Sequence, residues 1–212
     1  MNEQSFILWC GKVKHVKRNR PKYKQIIEAA VVVIAENGYH QAQISKIARQ
    51  AGVADGTIYL YFKNKEDVLI SVFREKMGMF VQKINEVTAG KKTAAEKLLV
   101  MIQNHFRILS EDQYLAIVTQ LELRQSNKAL RFKINEVLKE YLEVIDHILV
   151  FGKENGELAA DLDIRLARQM IFGTMDETAT TWVLNEHKYD LVALAPKVHE
   201  LILYGCKLKS SV

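Results

Sequence analysis

Residues 44–65 read ISKIARQAGVADGTIYLYFKNK, and the rest of the chain is organised around them. Ile44, Ile47, Ala48 and Ala51 recur at i, i+3, i+4 and i+7, the spacing that lines one face of a helix about two turns long. Gly52 follows at once, and glycine accepts the left-handed backbone of a tight helix exit. A second short run carries Ile58, Tyr59 and Phe62 as its bulky residues. Two short helices around a glycine-bearing turn fit either a plain helical core element or a helix-turn-helix whose second helix enters the DNA major groove. The residue types favour the second reading. Ala54, Gly56 and Thr57 are small enough to let backbone approach a duplex, and Tyr59, Tyr61, Lys63 and Lys65 surround them with donors for phosphate oxygens.

The charge distribution points the same way. The net charge is +5, yet residues 1–65 hold 11 Lys or Arg against 4 Asp or Glu, and the remainder holds 19 against 21. The basic excess therefore sits with the helix-turn-helix and the segment before it, as suits a polyanionic partner. Within residues 1–20, Lys12, Lys14, Lys17, Arg18 and Arg20 read either as an arm along the DNA or as a disordered basic extension.

Apolar residues make up 49% of 212, with only 10 Gly and 2 Pro, a composition for an all-α protein with an ample core. No apolar run approaches the roughly 18–20 residues needed to span a bilayer. Cys10 and Cys206 lack metal-like spacing, so a cytoplasmic location is expected. Helices are predicted over residues 22–37, 65–88, 93–110, 113–126, 128–155, 163–187 and 196–209, about nine with the two of the motif. The long helix from Lys65 should turn Val68, Leu69, Val72, Phe73, Phe80, Ile84 and Val87 inward, with Gly78 as a place to bend.

No enzyme signature is present: no GxGxxG, no Walker lysine loop, no HExxH. Asp176 and Glu177 are adjacent and would point about 100° apart on a helix, so they read as helix surface or a polar contact. Arg107, Arg124, Arg131 and Arg168 read as surface ion-pair partners, or as one or two grips for an anionic ligand at a pocket mouth.

Ile47, Ala48, Ala51, Gly52, Val53, Gly56, Thr57, Ile58, Tyr59, Tyr61, Phe62, Asn64, Lys65, Glu66 and Leu69 together resemble the DNA-binding signature of the TetR family of bacterial one-component repressors. The resemblance implies a DNA-binding domain over residues 21–66, a ligand-binding and dimerisation domain over 67–212, and a homodimer on a palindromic double-stranded operator. It implies DNA contacts from Gln43, Ser45, Ala54, Asp55, Gly56, Thr57, Tyr59, Tyr61 and Lys65. One departure stands out. Family members carry Thr or Ser at the positions of Ala42 and Gln43, where a hydroxyl caps the next helix, and an alanine cap is worse by about 1 kcal/mol.

RPKYKQIIEAA (20–30), residues 38–67, AIVTQLELRQSN (116–127) and RLARQMIFGTMDETATTWV (165–183) resemble a narrower group, the FadR-type repressors of fatty acid degradation in Gram-positive bacteria. That resemblance implies long-chain acyl-CoA as effector, with no cofactor or metal. Arg124 and Arg131 would grip the CoA phosphates, and Phe106, Leu109, Leu121, Tyr141, Phe172 and Met175 would wall the acyl tunnel. At about 0.8 kcal/mol per buried CH₂, four extra carbons would shift affinity more than a hundredfold. Phe172, Trp182, Leu201 and Leu203 would form the dimer interface. The rival expectation is a TetR-type, drug-responsive repressor of an efflux pump, with several acids in its pocket.

Overall fold

The computed structural model describes residues 21–206, with side chains to Leu203. The basic N-terminal segment and Cys10 lie outside that range. Among the described residues there are nine α-helices and no strand, in line with the all-α expectation. They are α1 (Pro21–Gln41), α2 (Ile44–Gln50), α3 (Asp55–Tyr59), α4 (Lys65–Thr88), α5 (Ala94–Glu111), α6 (Gln113–Leu121), α7 (Lys128–Glu154), α8 (Ile164–Leu184) and α9 (Ala195–Cys206), with a 3₁₀ turn over Val192–Leu194.

α1 buries Tyr23, Ile26, Ile27, Ala30 and Ile34 along one stripe, which closes over Ile47, Ala48, Ile58 and Phe62. Each such side chain contributes about 1.5–3 kcal/mol by leaving water, and α2 and α3 depend on this because isolated helices of 7 and 5 residues do not persist in water. Neither has a side-chain cap. α1 instead supplies Gln25, whose Nε2 donates to Ala51 O at 2.8 Å and closes the end of α2. Gly52 then takes φ 61°, as the turn requires.

α1 does not stop at residue 37. Gly38, at φ 71° and ψ 153°, kinks the chain, and a last helical turn continues to Gln41. That backbone region is open essentially to glycine alone. Ala42 is buried at 1% exposure, so its role is packing. Gln43 is the cap residue of α2, and its side chain makes no capping bond.

α4 matches its predicted span and runs unbroken through Gly78. Asn64 Oδ1 accepts Asp67 N–H at 2.9 Å, and Asp67 Oδ2 accepts Lys63 N–H at 2.9 Å, a reciprocal start to the helix. Thr88 is buried at its far end, and Val87 is only half-buried. α4 packs on α1 at one end and on α5 and α7 along its length. α6 is shorter than expected, ending at Leu121, and α8 ends at Leu184. No helix is long and apolar enough to cross a membrane among the described residues.

Candidate DNA interface and ligand pocket

The head of the molecule presents α2 and α3 outward. Ile58 and Phe62 point into the core, whereas Tyr59, expected among the bulky inward residues, is 57% exposed. Gln43, Ser45, Ala54, Asp55 and Gly56 are exposed and Thr57 is half-exposed, so these side chains share the solvent-facing side. Tyr61 is half-buried against Tyr23, with ring centroids 6.3 Å apart. Lys65 is half-buried: its Nζ donates to His40 O at 2.9 Å and lies 4.8 Å from the centre of the Tyr39 ring. Two of its three donors remain for another partner, so a phosphate contact and a brace for the end of α1 are compatible in one residue.

At the C-terminal end of α6, a cavity of about 300 Å³ opens between the segment after α6, the start of α7 and the middle of α8. Leu123, Arg124, Gln125, Ser126, Arg131, Asn135, Leu138, Phe172 and Asp176 line it. Of the residues expected to hold the ligand, Arg124, Arg131 and Phe172 line this cavity. Phe106, Leu109, Tyr141 and Met175 are fully packed core residues instead, lying outside the present lining. Leu121 is 46% exposed at the end of α6 and lies outside the lining of this cavity. The residues that sequence reasoning missed include Asn135 and Leu138, which follow Arg131 at i+4 and i+7 and so share its helix face. Leu123, Gln125 and Ser126 sit in irregular chain, where no periodicity marks them.

Of the two readings of the acid pair, helix surface or polar contact, Asp176 takes the second. It is 5% exposed, while Glu177 is exposed. Burial raises the Asp176 carboxyl above the ordinary aspartate range, and the ion pair with Arg124 opposes that rise. With its amide turned so that nitrogen faces the carboxylate, Gln120 donates to Asp176 Oδ1 at 3.0 Å and to Thr180 Oγ1 at 3.1 Å. Arg124 keeps a 57% exposed side chain, so an anion at the mouth can reach its guanidinium.

Behind Phe172 an aromatic column crosses the bundle. The Phe172 and Tyr141 rings are 6.0 Å apart, and Tyr141 and Phe80 of α4 are 6.3 Å apart. Tyr141 Oη and His105 Nδ1 share a 2.9 Å hydrogen bond. Burial alone holds the His105 pKa down at about 4, and burial, with the nearby Asp176 charge adding to it, pushes the Tyr141 phenol upward, so both are neutral at pH 7. The pocket wall thus touches the long helix that carries the head through one intervening ring. No group of His, Cys, Asp or Glu that would hold a metal ion occurs among the described residues.

Of the four residues expected at a dimer interface, Trp182 is excluded: it is 3% exposed and its Nε1 donates to Tyr189 O at 2.7 Å. Phe172 faces the pocket. Leu201 is 70% exposed, and Leu166, Met170 and Leu184 add exposed apolar positions along α8.

A helix-turn-helix head on a long helix that enters a ligand-sized bundle is the architecture of a bacterial transcriptional regulator. Residues 26–72 match the model of the bacterial regulatory proteins of the tetR family, and residues 73–205 match that of the YsiA-like protein C-terminal region. The chain belongs to the TetR family. It is 65% identical over 190 residues to the fatty acid metabolism regulator protein of Bacillus subtilis, covering 90% of this chain and 98% of that one. Among solved structures, it is similar to the transcriptional regulator FadR of Bacillus subtilis in complex with stearoyl-CoA, at 66% identity and a TM-score of 0.85, covering 86% of this chain and 98% of that one. It is also similar to the fatty acid degradation regulator FadR of Bacillus halodurans, at 62% identity and a TM-score of 0.85, covering 87% and 100%.

Proposed function

We propose that this chain is a DNA-binding repressor of fatty acid degradation genes, released from its operator by long-chain acyl-CoA. The observation that carries the reading is the pocket. Arg124 and Arg131 stand at an apolar-backed cavity beside Leu123, Leu138 and Phe172, a combination suited to a ligand with phosphates at one end and hydrocarbon at the other. The likeness to the stearoyl-CoA-bound regulator at 66% identity supports the same class of effector. A pocket with several acids, expected for a sensor of cationic drugs, is not what the lining offers: Asp176 is the acid present beside two arginines.

At about 300 Å³ the cavity lies at the small end of ligand sites. A long acyl chain therefore has to part the core behind it, where Phe106, Leu109, Tyr141 and Met175 are packed. That core is also the surface on which α4 rests, so accommodation of the chain and movement of the head are one event. Only a ligand that binds the moved state better shifts the balance.

In this reading the head is residues 21–66. Gln43, Ser45, Ala54, Asp55, Gly56, Thr57, Tyr59, Tyr61 and Lys65 meet the duplex, with Thr57 and Tyr59 nearest the bases. Residues 67–212 bind effector and dimerise through the exposed apolar face of α8 and Leu201 of α9. Two heads then address the halves of a palindromic operator. The protein acts in the cytoplasm and catalyses no reaction.

The test is anisotropy of a labelled duplex, selected with this protein from a random-sequence pool, titrated with stearoyl-CoA and with acetyl-CoA. Release by micromolar stearoyl-CoA and not by acetyl-CoA is expected. Retention of the duplex under both would sink the effector assignment.

A further inference from the structure

Residues 122–127 join α6 to α7 and form one side of the pocket through Leu123, Arg124, Gln125 and Ser126. Glu122 opens this segment and faces in two directions. Its Oε1 accepts the backbone N–H of Tyr39 at 2.8 Å. Its Oε2 accepts Gln125 Nε2 at 2.5 Å, and the same amide donates to Glu122 O at 3.2 Å. Gln125 is 4% exposed, and its Oε1 has no partner among the described residues. Arg131 Nη1 donates to Gln125 O at 3.2 Å. One carboxylate is thus shared between a pocket-lining amide and the backbone of the head.

The place it holds on the head matters. Tyr39 directly follows the Gly38 kink, and Ala42 N–H donates back to Gly38 O at 3.0 Å before α2 begins at Ile44. The body of α1 is tied separately to α4, through Lys76–Glu28 and Tyr23–Glu75. Glu122 therefore grips the side of the kink that leads into the helix-turn-helix, while α1 before the kink is held by these bonds to α4 and by its packing on α6. An ion pair from the start of α7, Lys133 to Glu66 at 2.5 Å, joins side chains 54% and 33% exposed and is screened by solvent. Bonds to an ionised carboxylate are the stronger kind.

We propose that Glu122 is the positioning residue that couples occupancy of the pocket to the pose of the helix-turn-helix. A ligand that displaces Gln125 draws Glu122 off the Tyr39 N–H and frees the segment that carries α2. The orphan Oε1 of Gln125 is an acceptor of the kind that an amide N–H on a ligand satisfies. This rests on the reading of the cavity as the effector site.

The variant Glu122→Gln keeps an acceptor for Tyr39 but turns an N–H₂ toward Gln125. Operator affinity is measured with and without stearoyl-CoA, and stearoyl-CoA affinity is measured on DNA-free protein. Weakening of operator binding by about 100-fold in the wild type and about tenfold or less in the variant is expected, with ligand affinity nearly unchanged. Equal release in both proteins overturns the proposal, because a purely structural brace changes stability and both affinities without changing their ratio. Gln125→Ala, which removes the amide and leaves Glu122 itself unchanged, repeats the measurement should Glu122→Gln fold poorly.

A ligand-free arm separates this proposal from the effector assignment. Gln125→Ala is expected to shift operator affinity when residue 122 is Glu and to have no effect on the Glu122→Gln background. If wild-type protein ignores stearoyl-CoA but this cycle shows coupling, the effector assignment fails and the role of Glu122 stands. Equal shifts on both backgrounds, or none on either, overturn it.

Discussion

Lys76 of α4 brings its ammonium to 2.8 and 2.7 Å from the two carboxylate oxygens of Glu28 on α1, from a side chain 4% exposed. Glu28 itself is 60% exposed. The pair fastens the first helix of the head to the helix that enters the ligand region, and it does so with a buried cation whose partner reaches in from solvent. Glu28→Ala leaves the Lys76 charge buried and unpaired. It should cost about 2 kcal/mol, below the roughly 3–5 kcal/mol of a fully enclosed pair because water reaches the Glu28 side. Lys76→Met removes the charge and should cost less than Glu28→Ala. Urea midpoints of the two variants give the comparison.

Ile58 and Tyr59 are neighbours on α3 with opposite orientations, 0% and 57% exposed. Ile58→Ala should destabilise the fold by about 2–5 kcal/mol, as large-to-small changes in a packed core do. Tyr59→Ala should alter stability by about 0.5 kcal/mol or less while weakening binding to the selected duplex. Thermal melts and anisotropy on the same two proteins separate the roles; the reverse pattern would contradict the exposed face described for α3.

Lys65→Ala removes one cation from the face proposed to meet the DNA phosphates, and with it the bond to His40 O. Binding to all duplexes should weaken about equally, and the slope of log K against log salt should flatten by about 1. A change in which base pair is preferred would show that Lys65 reads bases.

His105 produces an acid sensitivity with a defined sign. Its folded pKa, about 4, lies below the ordinary 6.5, so between those values the unfolded chain binds more protons. Stability therefore rises with pH across that window and is lost as pH falls, by roughly 3 kcal/mol in all. Asp176, raised by burial, acts oppositely: its folded form keeps its proton to higher pH, so it loses stability as pH climbs above the ordinary aspartate range. The His105 contribution is isolated by His105→Gln, which should flatten the unfolding free energy between pH 6.5 and 4. An unchanged profile would show that His105 is charged or hydrated in the folded protein.

Leu184 on α8 is 67% exposed on the face proposed for dimerisation. Leu184→Glu should shift sedimentation toward monomer and weaken operator binding, since two tethered heads bind far better than one. A variant that remains fully dimeric places the interface elsewhere.

The head was legible in the sequence because its determinants are local. Gly52 after Ala51, the i, i+3, i+4, i+7 stripe and the acids after Asn64 each act within a few residues, and the helices form where those signals lie. Ala42 shows the limit. Read as a failed cap, it is a buried packing residue, and the cap position belongs to Gln43. Leu121, exposed, and Trp182, buried, show a related limit: periodicity tells that a residue is apolar, not which neighbour covers it. The pocket was half legible. Arg124, Arg131 and Phe172 line the cavity, while Phe106, Leu109, Tyr141 and Met175 are packed in the core outside its lining.

What the sequence determined by itself is the set of helices, the basic head and the family, because helix periodicity, turn glycines and charge are properties of short stretches. Only the tertiary structure decided what residues 122–127 do. Glu122 and Tyr39 are 83 positions apart, Arg124 and Asp176 are 52 apart, and no local pattern pairs them. Packing brings each pair together, and with it the segment that lines the pocket comes to hold the backbone just ahead of α2. The stretch at residues 44–65 identifies a DNA reader; the means by which a distant pocket reaches it exists only in the folded chain.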